Sequence, residues 1–218
     1  MMEEYSNVYI CKSRATPILL TKLRDKDTQM ECFIHYAKRL MRLLSEEGIS
    51  FLPTMKAEVQ TPTGLPAEGV EVDDTSVCAV SIIRSGDALL ESVRECLPSV
   101  KVGKILIQRD ESSEEKVPIV YYNKLPPDIA SMDVLLVDPM LATGGSAISA
   151  VQILINAGVS EERIIFLNVI SCPEGIEALL TAHPGIKIVT CVVDQGLNED
   201  KYIVPGLGDY GDRYFGTI

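Results

Sequence analysis

The sequence has no apolar run that approaches the roughly 20 residues a membrane-spanning helix needs, so no membrane partner is expected. Its beginning, Met-Met-Glu-Glu-Tyr, lacks the basic and apolar regions of a secretion signal. The six cysteines include no C-x-x-C pair, and most lie inside apolar segments, which disfavours a zinc site and a disulfide framework. These absences predict a cytoplasmic protein whose cysteines are small buried hydrophobes in a reducing compartment.

Basic residues are also scarce. The 218 residues include 20 Lys and Arg against 31 Asp and Glu, which gives a net charge of −11. Nucleic-acid binding needs clustered Lys and Arg, so no nucleic-acid partner is expected. The same charge repels an anionic substrate at long range, and a phosphate ligand must therefore be bound by local backbone amides, a few arginines and a divalent cation.

Strands and helices alternate from residue 77 onward, which favours an α/β protein with a doubly wound, mostly parallel sheet. The expected strands are residues 77–83, 102–108, 134–137, 164–170 and 186–193. The expected helices between them are residues 87–97, 147–157 and 173–183.

The remaining segments are interpreted around this sheet. Residues 17–47 are predicted to form N-terminal helices with one polar break, and 51–76 a connecting and edge-strand region. We expect a single domain over 1–218, with a partly ordered arm at 1–16. Residues 110–127 have the polarity and length of a flexible flap or β-arm, and a solvated surface loop is the alternative.

Residues 134–146 have the pattern of a buried strand, a glycine turn and a helix start. Asp138 follows the strand, at the edge where open α/β sheets bind their ligands. The helix start offers unpaired amides to an anion, while no Lys follows the glycines and no G-x-G-x-x-G spacing occurs. The pattern favours a ligand with a phosphate and with hydroxyls or a metal. A loop that is glycine-rich for steric reasons alone is the alternative.

Two arginines end other apolar strands. Arg84 and Arg109 occupy positions equivalent to that of Asp138, so all three are expected at one sheet edge. Two guanidinium groups suit a diphosphate, because each can donate two parallel hydrogen bonds to phosphate oxygens. Pairing of each arginine with a nearby acid, such as Asp87 or Asp110, is the alternative.

The C-terminal residues 202–217 contain four glycines, one proline and two aspartates, which predicts a loop shaped by its backbone. Such loops recognise flat polar ligands through main-chain N–H and C=O groups. A turn that only closes the fold is the alternative. His35 lies in a predicted helix without a carboxylate or cysteine cluster, and is interpreted as a surface or packing residue.

Two of these segments resemble known sequences. Residues 138–146 resemble the phosphoribosyl-diphosphate loop of the type I phosphoribosyltransferases, and 202–217 resemble the uracil-binding segment of the uracil phosphoribosyltransferases among them. Further similar segments are residues 80–86, 104–111 and 193–198. The opening helices and residues 124–126 resemble the eukaryotic branch, and the likeness covers most of the chain from about residue 17.

The resemblance implies a type I phosphoribosyltransferase fold with a C-terminal base-binding hood, which comprises residues 195–218. It implies transfer of a phosphoribosyl group from 5-phospho-α-D-ribose 1-diphosphate (PRPP) to uracil, giving UMP and diphosphate. Mg²⁺ would be held mainly by diphosphate and water rather than by protein side chains. The resemblance also suggests GTP as an effector and a homodimer or homotetramer.

By position, the resemblance assigns catalytic roles to Asp209, Arg84 and Arg109. The residues implied in PRPP binding are Arg84, Arg109, Asp138, Pro139, Met140, Leu141, Ala142, Thr143, Gly144, Gly145, Ser146 and Asp209. The residues implied in uracil binding are Ile203, Gly208, Asp209 and Tyr210.

Three positions depart from the family pattern. Pro139 stands where type I enzymes usually have a second acid, and Asp209 is the candidate substitute for it. Ser85 replaces a common Ala, which is a small change. Tyr210 stands where bacterial relatives often have Ala, and it alters substrate choice only if its ring covers the pocket. No residue is an evident base for the uracil N1 proton.

A non-catalytic or regulatory relative that binds uracil nucleotides, or RNA, on the same fold is the alternative function. The acidic composition speaks against RNA. The presence of Arg84, Arg109, Asp138 and Asp209 favours a working enzyme.

Overall fold

A computed structural model describes residues 6–109 and 118–217, without the side chains of Arg109 and Pro118. The strands are β1 (Val8–Ile10), β2 (Met55–Gln60), β3 (Pro66–Glu71), β4 (Val77–Ile83), β5 (Lys101–Arg109), β6 (Pro118–Lys124), β7 (Asp133–Val137), β8 (Met140–Leu141), β9 (Ile164–Ser171), β10 (Lys187–Val193), β11 (Gly196–Leu197) and β12 (Ile203–Val204). The helices are α1 (Thr16–Arg24), α2 (Met30–Ile49), α3 (Gly86–Cys96), α4 (Gly145–Asn156), α5 (Pro173–Ala182) and α6 (Tyr210–Phe215). Within these described ranges, no helix combines the length and the apolar content that crossing a bilayer requires.

The main sheet has the strand order β1-β10-β9-β7-β4-β5-β6, and the short β8 also pairs with β9. Every pair in this order is parallel except β5 with β6, which is antiparallel. This confirms the doubly wound, mostly parallel sheet expected from the sequence. The central strands are mostly apolar because helices cover both faces of the sheet.

The strand order changes direction at β4. The chain first adds β5 and β6 on one side of β4, then crosses over to add β7, β9 and β10 on the other side. The carboxyl ends of β4 and β7 therefore meet at the switch point, where doubly wound sheets form their ligand crevice. Arg84 follows β4 and Asp138 follows β7, so both lie at this point.

The core has one layer on each face of the sheet. Val77 and Ala79 of β4 belong to the layer formed with α1, α2 and α3. The alternate residues Cys78 and Val80 belong to the layer formed with α4 and α5. This alternation follows from the two-residue period of a strand.

Helix α2 contributes a continuous stripe to the first layer. Phe33, Ala37, Leu40 and Leu44 recur at the predicted spacing of three or four residues, and all are almost completely buried. The polar break expected between the N-terminal helices lies between the end of α1 and the start of α2.

Two segments contain strands that the sequence did not specify. Residues 51–76 contain an antiparallel hairpin, β2 with β3, that forms its own two-stranded sheet rather than an edge of the main sheet. The expected arm at 1–16 includes β1, which pairs in parallel with β10, with Val8 opposite Ile188. Three residues are too few for a periodic pattern, and the edge of β10 supplies the hydrogen bonds that define this strand.

The predicted flap at 110–127 is only partly described. Its later portion forms β6, antiparallel to β5. Residues 110–117 lie outside the described residues, so closure of a flap over the cleft stays a prediction.

The cysteines largely follow the expectation of buried, unpaired thiols. Cys11, Cys78, Cys172 and Cys191 are buried and free, whereas Cys32 on α2 is exposed. Burial raises the pKa of Cys78 to about 12 and that of Cys172 to about 11, so both thiols stay protonated near neutral pH.

We expect Cys32 to react first when the native protein is briefly exposed to an alkylating reagent. Its thiol is accessible, whereas the protonated, buried thiols are poor nucleophiles. Mass spectrometry after a short reaction identifies the labelled residue, and Cys32→Ser should remove the fast phase. A fast phase of unchanged size in Cys32→Ser would contradict the prediction.

Candidate active site

A cleft of about 1140 Å³ opens at the carboxyl edge of the sheet, at the switch point. The predicted site residues on its wall are Arg84, Asp138, Met140, Ala142, Ser146, Ile203, Gly208, Asp209 and Tyr210. The cleft thus brings together the glycine turn and the C-terminal segment, although more than 50 residues separate them in sequence. Arg109 ends β5 at the same edge, but its side chain lies outside the described residues.

The backbone of the glycine turn is bonded to the end of β9. The carbonyl of Pro139 accepts hydrogen bonds from the amides of Val169 at 2.8 Å and Ile170 at 3.1 Å. The carbonyl of Leu141 accepts one from the amide of Cys172 at 3.1 Å. Pro139 and Leu141 are buried and support the cleft wall from behind.

The turn then passes into α4 through Gly144. This residue has φ of 83° and occupies the N-cap position of α4. It has no side chain that could compete with a ligand for the first amides of the helix. Thr143 and Gly145 flank it at the helix start, beside the wall residue Ser146. A helix N-terminus with free amides and a favourable dipole is suited to a phosphate.

Gly175 explains how closely this turn approaches α5. A Cβ atom at Gly175 would lie 2.4 Å from the carbonyl oxygen of Ala142 and 2.7 Å from that of Leu141. Any side chain on α5 at this position would displace the turn. The position of the glycine turn therefore depends on a glycine that no motif in the sequence marks.

Arg84 is held by the C-terminal helix. Its Nη2 donates to Asp212 Oδ1 at 2.7 Å and its Nη1 donates to Thr217 Oγ1 at 2.9 Å. The sequence left open a pairing with Asp87, but Asp87 instead accepts a hydrogen bond from Lys104 at 2.9 Å. Arg84 therefore both lines the cleft and is paired, so the two interpretations of this residue are compatible.

Two hydrogen bonds act on the carboxylate of Asp212. The one from the Thr217 hydroxyl, followed by the one from the Arg84 guanidinium, lowers the pKa of Asp212 from its ordinary value. The carboxylate is therefore ionised at neutral pH, which makes its hydrogen bond to Arg84 charge-assisted.

The C-terminal hood is anchored by a partly buried ion pair that was not expected from the sequence. Arg24 at the end of α1 donates to both carboxylate oxygens of Asp194, at 2.8 Å and 2.6 Å. Gly206 binds the same pair, since its amide donates to Asp194 at 2.9 Å and its carbonyl accepts from Arg24 at 2.7 Å. Asp194 directly follows a strand, as Asp138 does, and this position was the available sequence signal that Asp194 lies at the carboxyl edge of the sheet. Nothing local pointed to Arg24.

A second arginine attaches α6 to the N-terminal helices. Arg213 donates to the carbonyls of Leu23, Leu207 (2.8 Å) and Asp25 (2.7 Å). Its guanidinium lies 4.4 Å from the centre of the Phe33 ring, within the range of a cation–π contact. Together with the Arg24 contacts, this fixes the backbone that borders the cleft.

The ring of Tyr210 points away from the cleft. It is buried against Phe33, with ring centres 5.4 Å apart, and against Tyr214 at 5.8 Å. Its hydroxyl donates to the sulfur of Met41 at 3.3 Å, and burial raises the pKa of Tyr210 well above its ordinary value. Only the backbone of Tyr210 faces a ligand, so its departure from the bacterial pattern does not cover the pocket.

We expect Tyr210→Phe to leave the KM for the base within about twofold, because the hydroxyl contacts only Met41. Loss of that one hydrogen bond should lower the free energy of unfolding by at most about 1 kcal/mol. Steady-state kinetics and chemical denaturation measure both quantities. A large rise in the KM for the base, with the fold intact, would show that the tyrosine side chain takes part in recognition.

Further wall residues are not among the individual site residues that the sequence predicts. Asp200, Lys201 and Tyr202 lie in the turn between β11 and β12, and Gln108 and Tyr121 come from β5 and β6. Lys201 has φ of 65°, a left-handed conformation that is uncommon for a residue other than glycine. Side chains in such turns depend on the tertiary structure for their direction, so no periodic pattern marks them.

These features define the class of protein to which the chain belongs. The site combines three features: a ligand crevice at the switch point of a parallel sheet, a glycine turn that presents a helix N-terminus, and a C-terminal hood over the same crevice. This is the arrangement expected of a type I phosphoribosyltransferase.

Comparison with known proteins identifies the family within that class. The family profile described as uracil phosphoribosyltransferase matches residues 10–217. Uracil phosphoribosyltransferase 1 of Schizosaccharomyces pombe is 50% identical over 218 residues, which cover 100% of this chain and 98% of that protein. The chain belongs to the uracil phosphoribosyltransferase family, and this confirms the family and the activity expected from the sequence.

Solved structures agree with this fold. The AQ2163 protein of Aquifex aeolicus superposes with a TM-score of 0.84 at 28% identity, covering 95% of this chain and 97% of that one. A purine phosphoribosyltransferase of Pyrococcus horikoshii superposes with a TM-score of 0.50 at 11% identity, covering 74% and 84%. At that identity the second likeness concerns the fold alone.

Proposed function

We propose that the cleft transfers the 5-phosphoribosyl group of PRPP to N1 of uracil, releasing diphosphate and forming UMP. The observation that carries this assignment is the meeting, in one cleft, of a free helix N-terminus and a backbone-shaped C-terminal segment. The first suits a sugar phosphate, and the second suits a flat polar base.

The sugar phosphate is bound at residues 138–146. The amides at the start of α4 hold the 5-phosphate, and Asp138 accepts hydrogen bonds from ribose hydroxyls. Because Pro139 replaces the usual second acid, Asp209, which lines the same cleft, supplies the further carboxylate. Arg84 and Arg109 contact the diphosphate.

Uracil is selected by main-chain groups of Ile203, Gly208, Asp209 and Tyr210. A backbone carbonyl accepts from N3–H of uracil and a backbone amide donates to O4. Cytosine presents the reverse pattern at both positions, and each mismatch costs about 1–3 kcal/mol in a buried site. The inward direction of the Tyr210 ring supports recognition by backbone rather than by side chain.

Mg²⁺ fits this donor set as a substrate-bound ion. Asp138, Asp200 and Asp209 lie on the cleft wall, and within the described ranges no group of three His, Cys, Asp or Glu side chains could hold a metal. Mg²⁺ usually keeps several waters and binds substrate phosphates with one or two carboxylates. When bound, it would neutralise charge that develops on the departing diphosphate.

The chain's own residues mainly position the reactants. Displacement at an anomeric carbon has oxocarbenium-like character, so the reaction needs alignment and charge stabilisation more than a strong protein nucleophile. The carboxylates of Asp138 and Asp209 lie on the walls that would flank this positive centre. Water exclusion by residues 110–127 would limit hydrolysis of PRPP.

Assembly and regulation follow from the same family likeness. A homodimer or homotetramer, activation by GTP and a cytoplasmic location are proposed on that basis. The β2–β3 hairpin supports an oligomer, because it exposes the large apolar side chains of Met55, Val59 and Val70. Light scattering measures the assembly, and UMP formation with and without added GTP measures activation.

The activity is tested by following UMP formation from uracil, PRPP and Mg²⁺. We expect saturable turnover that depends on all three, with cytosine a poor acceptor. Correctly folded protein that binds UMP but forms none would favour the non-catalytic alternative.

A further inference from the structure

We infer that Asp212, together with Thr217, is a positioning residue that holds Arg84 in place for the diphosphate of PRPP. This role rests on the proposed function, because it assumes that Arg84 contacts the donor. It concerns residues that follow those proposed to contact uracil, and it gives α6 and the residues after it a role in donor binding.

The first observation is the closed set of contacts around the guanidinium. Arg84 Nη2 donates to Asp212 Oδ1 at 2.7 Å, Arg84 Nη1 donates to Thr217 Oγ1 at 2.9 Å, and Thr217 Oγ1 donates to the same Asp212 oxygen at 2.6 Å. Both terminal nitrogens of the guanidinium are thereby fixed. The Phe215 ring, with its centre 5.6 Å from Cζ of Arg84, adds a further contact.

The second observation is that the guanidinium keeps capacity for a ligand. A guanidinium has five N–H donors, and these contacts use two, which leaves three without a protein acceptor among the described residues. Because Arg84 also lines the cleft, the remaining donors can bind phosphate oxygens. The contacts with Asp212 and Thr217 therefore orient the group without occupying it.

The third observation is the low value of this ion pair for stability. The side chains of Arg84 and Asp212 are 47% and 39% exposed, and ion pairs with that exposure contribute little to the free energy of unfolding. A long arginine side chain in solvent would otherwise occupy many rotamers, and each unproductive rotamer weakens donor binding. The contact with Asp212 therefore matters more for restricting the rotamers of Arg84 than for the stability of the fold.

The fourth observation is a glycine at the point of contact. A Cβ atom at Gly211 would lie 3.0 Å from Arg84 Nη2 and 2.9 Å from Ser85 Oγ. The guanidinium therefore approaches α6 as closely as it does because position 211 has no side chain.

The same helix begins at a residue proposed to act on both substrates. Asp209 Oδ1 accepts a hydrogen bond from the amide of Asp212 at 2.8 Å and so caps α6. The uracil-binding segment, the helix cap and the arginine for the diphosphate are thus connected through consecutive contacts. The placement of Arg84 depends on the conformation of the hood.

The test compares Asp212→Ala and Asp212→Asn in steady-state kinetics and in direct calorimetric titration with PRPP. We expect Asp212→Ala to raise the KM and the dissociation constant for PRPP about 10-fold with little change in Tm, since an oriented contact is lost. Asp212→Asn keeps an acceptor oxygen, so its KM and dissociation constant for PRPP should lie between those of the wild type and of Asp212→Ala. It also serves if Asp212→Ala folds poorly.

Two controls separate positioning from a general structural effect. Asp128→Ala breaks an ion pair of similar exposure, with Lys101, at the amino end of β5 away from the cleft, and should leave the KM for PRPP unchanged. In an Arg84→Ala background, Asp212→Ala should have almost no further effect, because the residue acts through Arg84.

The possible results are distinct. Multiplicative effects of Arg84→Ala and Asp212→Ala, or an Asp212→Ala variant that matches Asp128→Ala, would overturn the positioning role while wild-type turnover remains. Absence of UMP formation by the wild type would instead overturn the proposed function. The titration with PRPP would then still decide whether Asp212 affects donor binding.

Discussion

Asp209→Asn should lower kcat/KM for UMP formation by about 10²-fold or more, the size of effect seen when one charged or polar group that stabilises a transition state is removed. Asp209 lies on the cleft wall and is the candidate for the carboxylate that Pro139 cannot supply. Asn retains the shape and can still cap α6, so this substitution removes the charge while keeping the helix. Initial rates at varied uracil and PRPP concentrations measure the loss.

His35→Ala provides the comparison for this experiment. His35 is exposed on α2, with its ring edge-on to Tyr36 at 5.2 Å, and it does not line the cleft. The activity of the His35→Ala variant should stay within about twofold of wild type, because surface substitutions away from a site have small effects. Equal losses in the two variants would mean that the site has been assigned to the wrong part of the molecule.

Arg24→Met should destabilise the protein more than any of the other single substitutions. The side chain of Asp194 is only 4% exposed, and it would lose both hydrogen bonds from the guanidinium. A buried carboxylate without its cation costs about 3–5 kcal/mol. The Gly206 contact would weaken at the same time, so the KM for uracil should rise in the fraction that remains folded.

Urea denaturation and uracil kinetics measure these two effects. Arg163→Met is a matched control, because it removes the partner of Asp133 in a more exposed pair at the opposite edge of the sheet, with side chains 34% and 14% exposed. Arg163→Met should lower the free energy of unfolding by about 1 kcal/mol, with no change in the KM for uracil. If Arg24→Met is no more destabilising than Arg163→Met, the hood is not anchored by this pair.

The sheet and the position of the cleft could be predicted because their signals are local. Strands β4, β7 and β9 are mostly apolar and almost entirely buried, and a residue that follows such a strand in a parallel sheet must lie at the carboxyl edge. Arg84 and Asp138 were placed correctly at that edge for this reason. Their proposed roles came from the family resemblance rather than from the pattern.

The anchors of the hood could not be predicted, because they join distant residues. Arg24 contacts Asp194 across 170 positions, and Arg213 contacts Leu23 across 190. In the sequence, Arg24 is one more charge at the end of an amphipathic helix. A single sequence does not indicate which of several arginines will find a buried carboxylate.

Side-chain direction was a second feature beyond the reach of sequence. The resemblance around Tyr210 predicts a base-binding segment but allows the ring to point toward the cleft or into the core. Packing against Phe33 and Tyr214 decides this, because α6 brings the ring over the N-terminal helices. Likewise, the acid paired with Arg84 is Asp212 rather than the sequence neighbour Asp87.

A crystal structure of the protein with bound UMP tests the central claim most directly. We expect the phosphate within about 3 Å of the backbone amides at the start of α4, and N3 and O4 of uracil within about 3 Å of main-chain groups of residues 203–210. A phosphate bound elsewhere, or a base recognised only by side chains, would contradict the assignment of this cleft.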